Sequence, residues 1–383
     1  MKIGLIIERF EPCRGGAEQW TWQFTRWLLS RGHEVHIVSR RFGPSTDPMA
    51  IVRHRLEAAE SRLGFAAAAE IAVERLTLDV VHDMGSSWRC DVFQPHGGSR
   101  RAAFEQNLLL LPAALRPVKR TLSRALPRYR EFERLISRQY TADGRVLIAL
   151  SRMVARDFIT RHHVSEERIR LIYNGVDTDR FSPAGRDAHR GPLRRQLGLR
   201  EHEVLLLIVA HNFRLKGVPS LLRAVGQLAE DGRPVRLAIV GGRASRRWKK
   251  FAQQVGAAAA TRFLGSVNDP SPYYAAADVY VHPTFYDPCS LVVLEALASG
   301  LPVVTSRYNG AGELITPGVE GELIDDPADA GDLAEKLGPM FNEEHRRTLA
   351  RAARRLALRH TLKHNFQQIE TLYRDLRIQH QAA

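Results

Sequence analysis

Short apolar runs of strand length alternate with amphipathic stretches of helix length along the whole sequence. A run that is apolar at successive positions needs burial on both faces, and a parallel sheet covered by crossover helices provides it. In the first half, Ile3–Ile7 leads through a glycine loop into a helix over Ala17–Ser30, and Gly32 at the helix end precedes a second strand, Glu34–Ser39. Val80–His82, Val92–Pro95 and Arg145–Leu150 read as further strands. The second half repeats the plan. Strand Val204–Ala210 precedes a basic turn and a helix over Val218–Glu230, Leu237–Val240 ends in Gly241-Gly242, and Val279–Pro283 precedes a helix over Leu291–Ser299. Gly300-Leu301-Pro302 ends that helix before strand Val303–Ser306.

A length of 383 residues suits two such α/β halves. The division predicted is 1–170, 171–360 and a final amphipathic helix over 361–383, with Ser182–His202 as a surface loop, being rich in Pro, Gly and charge. Hydrophobic residues make up 44% and charged residues 26%, which excludes wholesale disorder. The longest apolar stretches, Val204–Ala210 and Leu108–Leu115, are too short for a membrane-spanning helix, and Met1–Ile7 reads as a buried strand rather than a signal peptide. Cys13, Cys90 and Cys289 are odd in number and far apart, so neither a disulfide framework nor a zinc site is expected, and a cytoplasmic setting fits.

The formal net charge is +14, which calls for an anionic partner. Half of the surplus lies between Gly97 and Tyr140, where ten basic residues face only Glu105, Glu131 and Glu133. Apolar residues (Leu108–Leu111, Leu115, Leu122, Leu126) are interleaved with the cations of 100–138, a composition suited to an anionic membrane surface. The plainer alternative is a solvated helical excursion packed on its own domain. No nucleic-acid-binding module is recognisable, so a nucleic-acid partner is not expected.

Three segments carry candidate chemistry. Gly15 and Gly16 follow the first strand and open a helix, where backbone N–H groups and the helix dipole can face a phosphate. Arg214 and Lys216 occupy the matching loop of the second half, as a pyrophosphate site would require, although a solvated basic turn has the same composition. Asp287 and Glu295 stand eight positions apart across a turn and a helix start, in apolar surroundings that make an unpaired carboxylate costly. Sugar hydroxyls would satisfy them, as would a buried arginine.

The segment Asp287-Pro288-Cys289-Ser290-Leu291-Val292-Val293-Leu294-Glu295 resembles the E-x7-E signature of the retaining glycosyltransferases of family 4, with Asp in the first place. Asn174-Gly175-Val176-Asp177 through Phe181 resembles that family's NGVD-x-x-x-F stretch, Gly15-Gly16-Ala17-Glu18 its glycine loop, and Lys216-Gly217 its phosphate-binding pair. Among its members, His96-Gly97-Gly98 and the basic stretch after it are similar to the lipopolysaccharide core glucosyltransferases. The resemblance implies the GT-B fold: two facing Rossmann-like domains with a cleft between them and a C-terminal helix returning to the first.

It also implies roles. Glu295 would accept from the ribose of a nucleotide-sugar, Asp287 would hold the donor sugar, and the backbone at Ser290 and Leu291 would face sugar and phosphate. Lys216, helped by Arg214, would neutralise the departing diphosphate, and the backbone at Val267 would meet the base. His96 would lie near the reacting centre, although His82 could line the same place, and Gly15 and Gly16 would allow close approach. The family's arginine before the lysine is absent, Ala210 and His211 occupying its place.

Asp177-Thr178-Asp179 spells a D-x-D, but its setting in the NGVD stretch argues against a metal role, and His162-His163 reads as a helix-end pair. The expected function is thus retaining, metal-independent and cofactor-free transfer of a sugar to a glycan or lipid-linked acceptor. UDP-sugar is the first choice of donor, lipopolysaccharide or cell-surface polysaccharide synthesis the setting, and the inner face of the plasma membrane the place. The rivals are another GT-B enzyme, such as a sugar-nucleotide epimerase, and a basic nucleic-acid-binding protein.

Overall fold

A computed structural model describes residues 1–12, 14–43, 49–57, 61–141, 144–243 and 245–382; Cys13 lies outside them. The chain divides into two compact units, Met1–Tyr173 with Asn365–Ala383, and Asn174–His364.

In the first unit the strands are β1 (Lys2–Ile6), β2 (Arg9–Phe10), β3 (Glu34–Ser39), β4 (Arg41–Phe42), β5 (Val52–Arg55), β6 (Val80–Asp83), β7 (Val92–Phe93), β8 (Val146–Ala149) and β9 (Ile169–Leu171). Seven form a parallel sheet in the order β5-β3-β1-β6-β7-β8-β9, while β2 and β4 pair separately. β7 stops two residues before Pro95, since proline has no N–H to give to a ladder. The sequence reading misses β5 and β9 because they are edge strands, largely exposed and without apolar alternation.

The helix Gly16–Ser30 buries Trp20, Phe24 and Leu28, a four-residue spacing that aligns them on one face. The final helix, Leu362–Ala382, belongs to this unit from Asn365 onward. Its Phe366 ring stands 5.6 Å from Trp20, 5.1 Å from Phe24 and 5.8 Å from Trp27. Buried Ile369, Tyr373 and Leu376 continue the same stripe. This is the helix returning to the first domain that the resemblance implies. The basic segment forms three helices, Arg100–Leu109, Leu115–Ala125 and Pro127–Gln139.

In the second unit the strands are β10 (Val204–Val209), β11 (Val235–Val240), β12 (Thr261–Gly265), β13 (Val279–His282), β14 (Val303–Ser306) and β15 (Gly321–Ile324). All are parallel, in the order β12-β11-β10-β13-β14-β15. Leu206, Ile208, Leu237, Ile239, Val279 and Val281 alternate onto one face and pack against Leu221, Leu222, Val225 and Leu228 of the helix Val218–Glu230.

The surface loop expected over Ser182–His202 is incorrect: Arg186–Gln196 is an α-helix, with Pro192 inside it. Ion pairs rather than an apolar stripe anchor it, which explains the missing periodicity. Arg190 and Arg194 pair with buried Asp278 at 2.6 and 2.8 Å and also donate to the carbonyls of Ala276 and Ala277.

Each sheet reverses its winding direction once, between β1 and β6 and between β10 and β13. In doubly wound sheets such switch points open a crevice at the carboxyl ends of the strands. Among the described residues, no helix is long and apolar enough to cross a membrane.

Candidate active site

The loops leaving β10 and β13 flank the second unit's switch point, and backbone contacts lock them together. The Leu215 carbonyl accepts from the Phe285 N–H at 2.8 Å and from Thr284 Oγ1 at 3.1 Å. Gly217 adopts φ +71°, and a Cβ there would meet the Pro283 carbonyl oxygen at 1.9 Å, so only glycine allows this approach. The adjacent Lys216 is thereby aimed at Asp287, and its Nζ donates to Oδ2 at 2.5 Å.

The Asp287 backbone is held on the other side. Its N–H donates to the Tyr308 carbonyl at 2.9 Å, and its carbonyl accepts from the Gly310 N–H at 2.8 Å. Asn309 is fully buried, and its Oδ1 accepts from the N–H groups of Ser290 and Ala311. Burial alone would raise the Asp287 carboxyl, but the Lys216 ammonium and His282 outweigh it and hold the group well below the usual carboxylate range. Asp287 is thus ionised.

Glu295 lies on the helix Leu291–Ala298, which buries Val293, Leu294, Ala296, Leu297 and Ala298. Burial pushes its carboxyl up to about 7, against the opposing effects of the Tyr274 hydroxyl, which donates to Oε2 at 2.8 Å, and of Arg180. Phe181, the last residue of the NGVD-x-x-x-F stretch, packs edge-on against Tyr274 at 5.7 Å. That stretch also supplies Asn174, whose Nδ2 donates to the Cys289 carbonyl at 2.8 Å. Both ends of the motif therefore support the acidic pair. Asp177 accepts through Oδ1 from the N–H groups of Asp179 and Arg180, a local turn. Among the described residues no group of three or more His, Cys, Asp and Glu could hold a metal ion.

Ser290 is buried at the start of that helix, with no partner for its Oγ among the described residues, and Leu291 is half-buried beside it. Val267 is half-buried in the loop after β12. Arg214 is exposed on the turn before Lys216. Sequence reasoning assigned no role to Tyr274, Tyr280 and His282. The last two alternate on β13 with the core residues Val279 and Val281, and so occupy its other face. That period was the available signal.

In the first unit, Gly15 caps the helix Gly16–Ser30 in extended conformation, and Gly16 is exposed. His82 and His96 differ. His82, at the end of β6, is fully buried, and its Nδ1 meets the Tyr373 hydroxyl at 2.5 Å. His96 is half-buried, stands 4.8 Å from the Trp20 ring and has no partner for Nε2 among the described residues. Burial lowers both, His82 to about 3 and His96 to about 4, so both rings are neutral.

Residues 14–180 match the model of Glycosyltransferase Family 4, and residues 190–356 that of Glycosyl transferases group 1. The D-inositol 3-phosphate glycosyltransferase of Corynebacterium jeikeium (strain K411) is 32% identical over 54% of this chain and 52% of its own length. The lipopolysaccharide glucosyltransferase WaaG of Escherichia coli (strain K12) is 30% identical over 56% of this chain and 58% of its own. The chain thus spans a little over half the length of these relatives. A crystal structure of WaaG, described as a glycosyltransferase involved in lipopolysaccharide biosynthesis, superimposes with a TM-score of 0.81 at 22% identity, covering 97% of this chain and 99% of that one. Anabaena HepE, solved in complex with UDP and glucose, gives a TM-score of 0.73 at 22% identity over 97% and 99% of the two chains. With the family matches covering both halves and this likeness of fold over nearly the whole chain, the protein belongs to the GT-B glycosyltransferases of the group 1 and family 4 type.

Proposed function

We propose that the protein transfers a sugar from a UDP-sugar to a hydroxyl of a glycan or lipid-linked acceptor, with retained anomeric configuration and without a metal ion or other cofactor. The observation that carries this reading is the Lys216–Asp287 ion pair at the switch point, on a loop whose next helix bears Glu295. The relative solved with UDP and glucose favours uridine as the base.

In this mechanism Glu295 accepts from the ribose hydroxyls, and Asp287 accepts from hydroxyls of the donor sugar. The hard part of the reaction is charge growing on the departing diphosphate. Lys216 has three N–H donors, so one can remain on Asp287 while others meet phosphate oxygens. The free first-turn N–H groups of the helix Leu291–Ala298 and the Arg214 guanidinium add to that stabilisation. His96 and the amides of the Gly15-Gly16 loop, of the first unit, serve the acceptor and the reacting sugar; Val267, of the second, meets the base.

The acceptor is proposed to be lipid-linked, as in lipopolysaccharide core, with the enzyme peripheral at the inner face of the plasma membrane. Helix Leu115–Ala125 exposes Leu115 (52%), Val118 (54%) and Leu122 (60%) at helical spacing beside Arg116, Lys119 and Arg120. An exposed apolar stripe flanked by cations matches an anionic lipid surface.

The test is a transfer assay with UDP-sugars against a lipid-linked core acceptor and against an inositol phosphate, with EDTA present, the product anomer being read by NMR. Acceptor-dependent formation of the retained anomer on the lipid-linked acceptor is expected. Turnover without acceptor would indicate an epimerase, inversion or EDTA sensitivity would overturn the mechanism, and transfer to inositol phosphate alone would overturn the lipid-linked acceptor.

A further inference from the structure

Between Glu295 and Asp287 lies a file of three buried polar side chains, Tyr274, Tyr280 and His282. The Tyr274 hydroxyl donates to Glu295 Oε2 at 2.8 Å and also has the Val292 carbonyl within 3.2 Å. The Tyr274 and Tyr280 rings are 5.7 Å apart and tilted at 43°, and each tyrosine bears on the other's ionisation. Tyr280 Oη lies 3.3 Å from His282 Nδ1 and also accepts from the Val209 N–H at 3.4 Å. His282 Nε2, fully buried and without a hydrogen-bond partner among the described residues, faces Asp287 Oδ2 at 3.6 Å. Lys216 closes the file on Asp287. Tyr280 and His282 stack nearly parallel, with an interplanar angle of 14°, and both are fully buried.

A hydroxyl has one proton to give, so such a file can be ordered in only two directions. With Glu295 ionised, Tyr274 donates to Glu295, Tyr280 donates to Tyr274, and His282 Nδ1–H donates to Tyr280. Nε2 then presents a bare lone pair to Asp287 and Lys216. With Glu295 protonated, the carboxyl donates to Tyr274, Tyr274 to Tyr280 and Tyr280 to Nδ1, so that Nε2 carries the proton toward Asp287. The ionised file holds one proton fewer, and that proton goes to bulk water. In both orders the second lone pair of Tyr280 is free for Val209.

We propose that Tyr274, Tyr280 and His282 are positioning residues forming a relay, through which the charge state of Glu295 dictates the tautomer that His282 shows to the Lys216–Asp287 pair. Nucleotide engagement by Glu295 then reorders the hydrogen bonding around the residues that meet donor sugar and diphosphate. The inference deepens the proposed donor site and rests on that reading for its functional meaning. The other charged groups acting on Glu295 are Arg180 and Asp269, and those acting on His282 are Asp287 and Lys216. Burial keeps His282 neutral and Glu295 within reach of protonation, as a two-way relay needs.

The tautomer is read directly by long-range proton–nitrogen NMR on protein with nitrogen-labelled histidine, the ring being identified by its absence from His282→Gln. On raising the pH from mildly acidic to mildly alkaline, His282 is expected to pass from the Nε2–H to the Nδ1–H form. Saturating UDP should shift that midpoint to lower pH. Glu295→Gln should abolish the switch with pH, and Tyr280→Phe should do the same while lowering kcat roughly tenfold with little change in donor KM. A tautomer that stays constant with pH in the unaltered protein, or a switch that persists in Glu295→Gln, would overturn the relay; neither measurement depends on Tyr280→Phe folding. The donor reading fails separately: if Glu295→Gln abolishes the switch yet binds UDP as tightly as before, the relay stands and the ribose assignment falls.

Discussion

Asn174 reaches across 115 positions of sequence to donate from Nδ2 to the Cys289 carbonyl at 2.8 Å, fixing the turn that carries Asp287. Asn174 is buried, and its substitution by Ala leaves that carbonyl without its donor. An unsatisfied buried acceptor costs about 1–3 kcal/mol. Asn174→Ala should therefore lower the unfolding midpoint and weaken UDP binding together, measured by thermal melts with and without UDP. A melt that falls while UDP affinity stays the same would make the residue a purely structural anchor.

Gly217 and Gly232 offer a matched comparison within the second unit. Both have positive φ, +71° and +72°, but a Cβ at Gly232 meets nothing within 4 Å while one at Gly217 would strike the Pro283 carbonyl. Gly232→Ala should cost about 1 kcal/mol of stability from its backbone angle alone and leave turnover intact. Gly217→Ala must move the loop that aims Lys216, so kcat should collapse as well. Equal kcat values in the two variants would show that the loop is not held by that contact.

Lys216→Ala tests the charge argument. Removing one preorganised donor to a developing anion costs about 10²–10³-fold in kcat. The same change leaves Asp287 buried beside His282 alone, so the Asp287 carboxyl should rise and the protein should become less stable. Asp287→Asn in the Lys216→Ala background should restore part of that stability without restoring turnover, a separation read from melts and initial rates on the same preparations.

The parallel sheets were legible because a strand buried on both faces leaves an apolar run, as in Val204–Val209. The ion pair was legible in part: Lys216 and Asp287 each follow such a run. The support around them was not. Tyr274 and Tyr280 look like core aromatics in sequence, and their hydroxyls matter only because folding brings them between two carboxylates. Asn309 and the Arg190–Asp278 pair are equally silent, since their partners lie far away in the chain. Local periodicity reports burial, whereas buried polar contacts depend on topology.

The raised Glu295 carboxyl has a consequence for stability. Its folded value of about 7 exceeds the unfolded value of 4.5, so the native state keeps a proton that the unfolded chain has released. The stability that this proton contributes is therefore fully present below the unfolded value, falls as pH rises through that window and is lost above it. Glu295→Gln removes this contribution. Relative to the unaltered protein, the variant should gain on the order of 1 kcal/mol between pH about 5 and pH about 8, the full shift being reduced by solvent screening at a partly exposed carboxyl. Buried Asp83, raised to about 6, follows the same sign but is common to both proteins and cancels. Urea melts at the two pH values decide the matter; a difference independent of pH would mean that Glu295 is already ionised at the lower one.

The two histidines of the first unit should separate stability from chemistry. His82 is sealed inside, with Nδ1 against the Tyr373 hydroxyl, and Tyr373→Phe leaves both of its ring nitrogens unpartnered among the described residues. That change should lower the melting midpoint by the cost of a buried unsatisfied group, about 1–3 kcal/mol, with little effect on kcat in the surviving folded protein. His96 is half-buried and its Nε2 has no protein partner among the described residues. Because burial already keeps this ring neutral, it acts as a hydrogen-bonding group and not as a cation, so kcat should show no His96 titration at neutral pH. His96→Ala should cut kcat by about 10²-fold with an unchanged melt, and His96→Asn should recover part of the loss by restoring a donor. If instead Tyr373→Phe abolishes turnover at full stability while His96→Ala is silent, the reacting group is His82, and the final helix carries it.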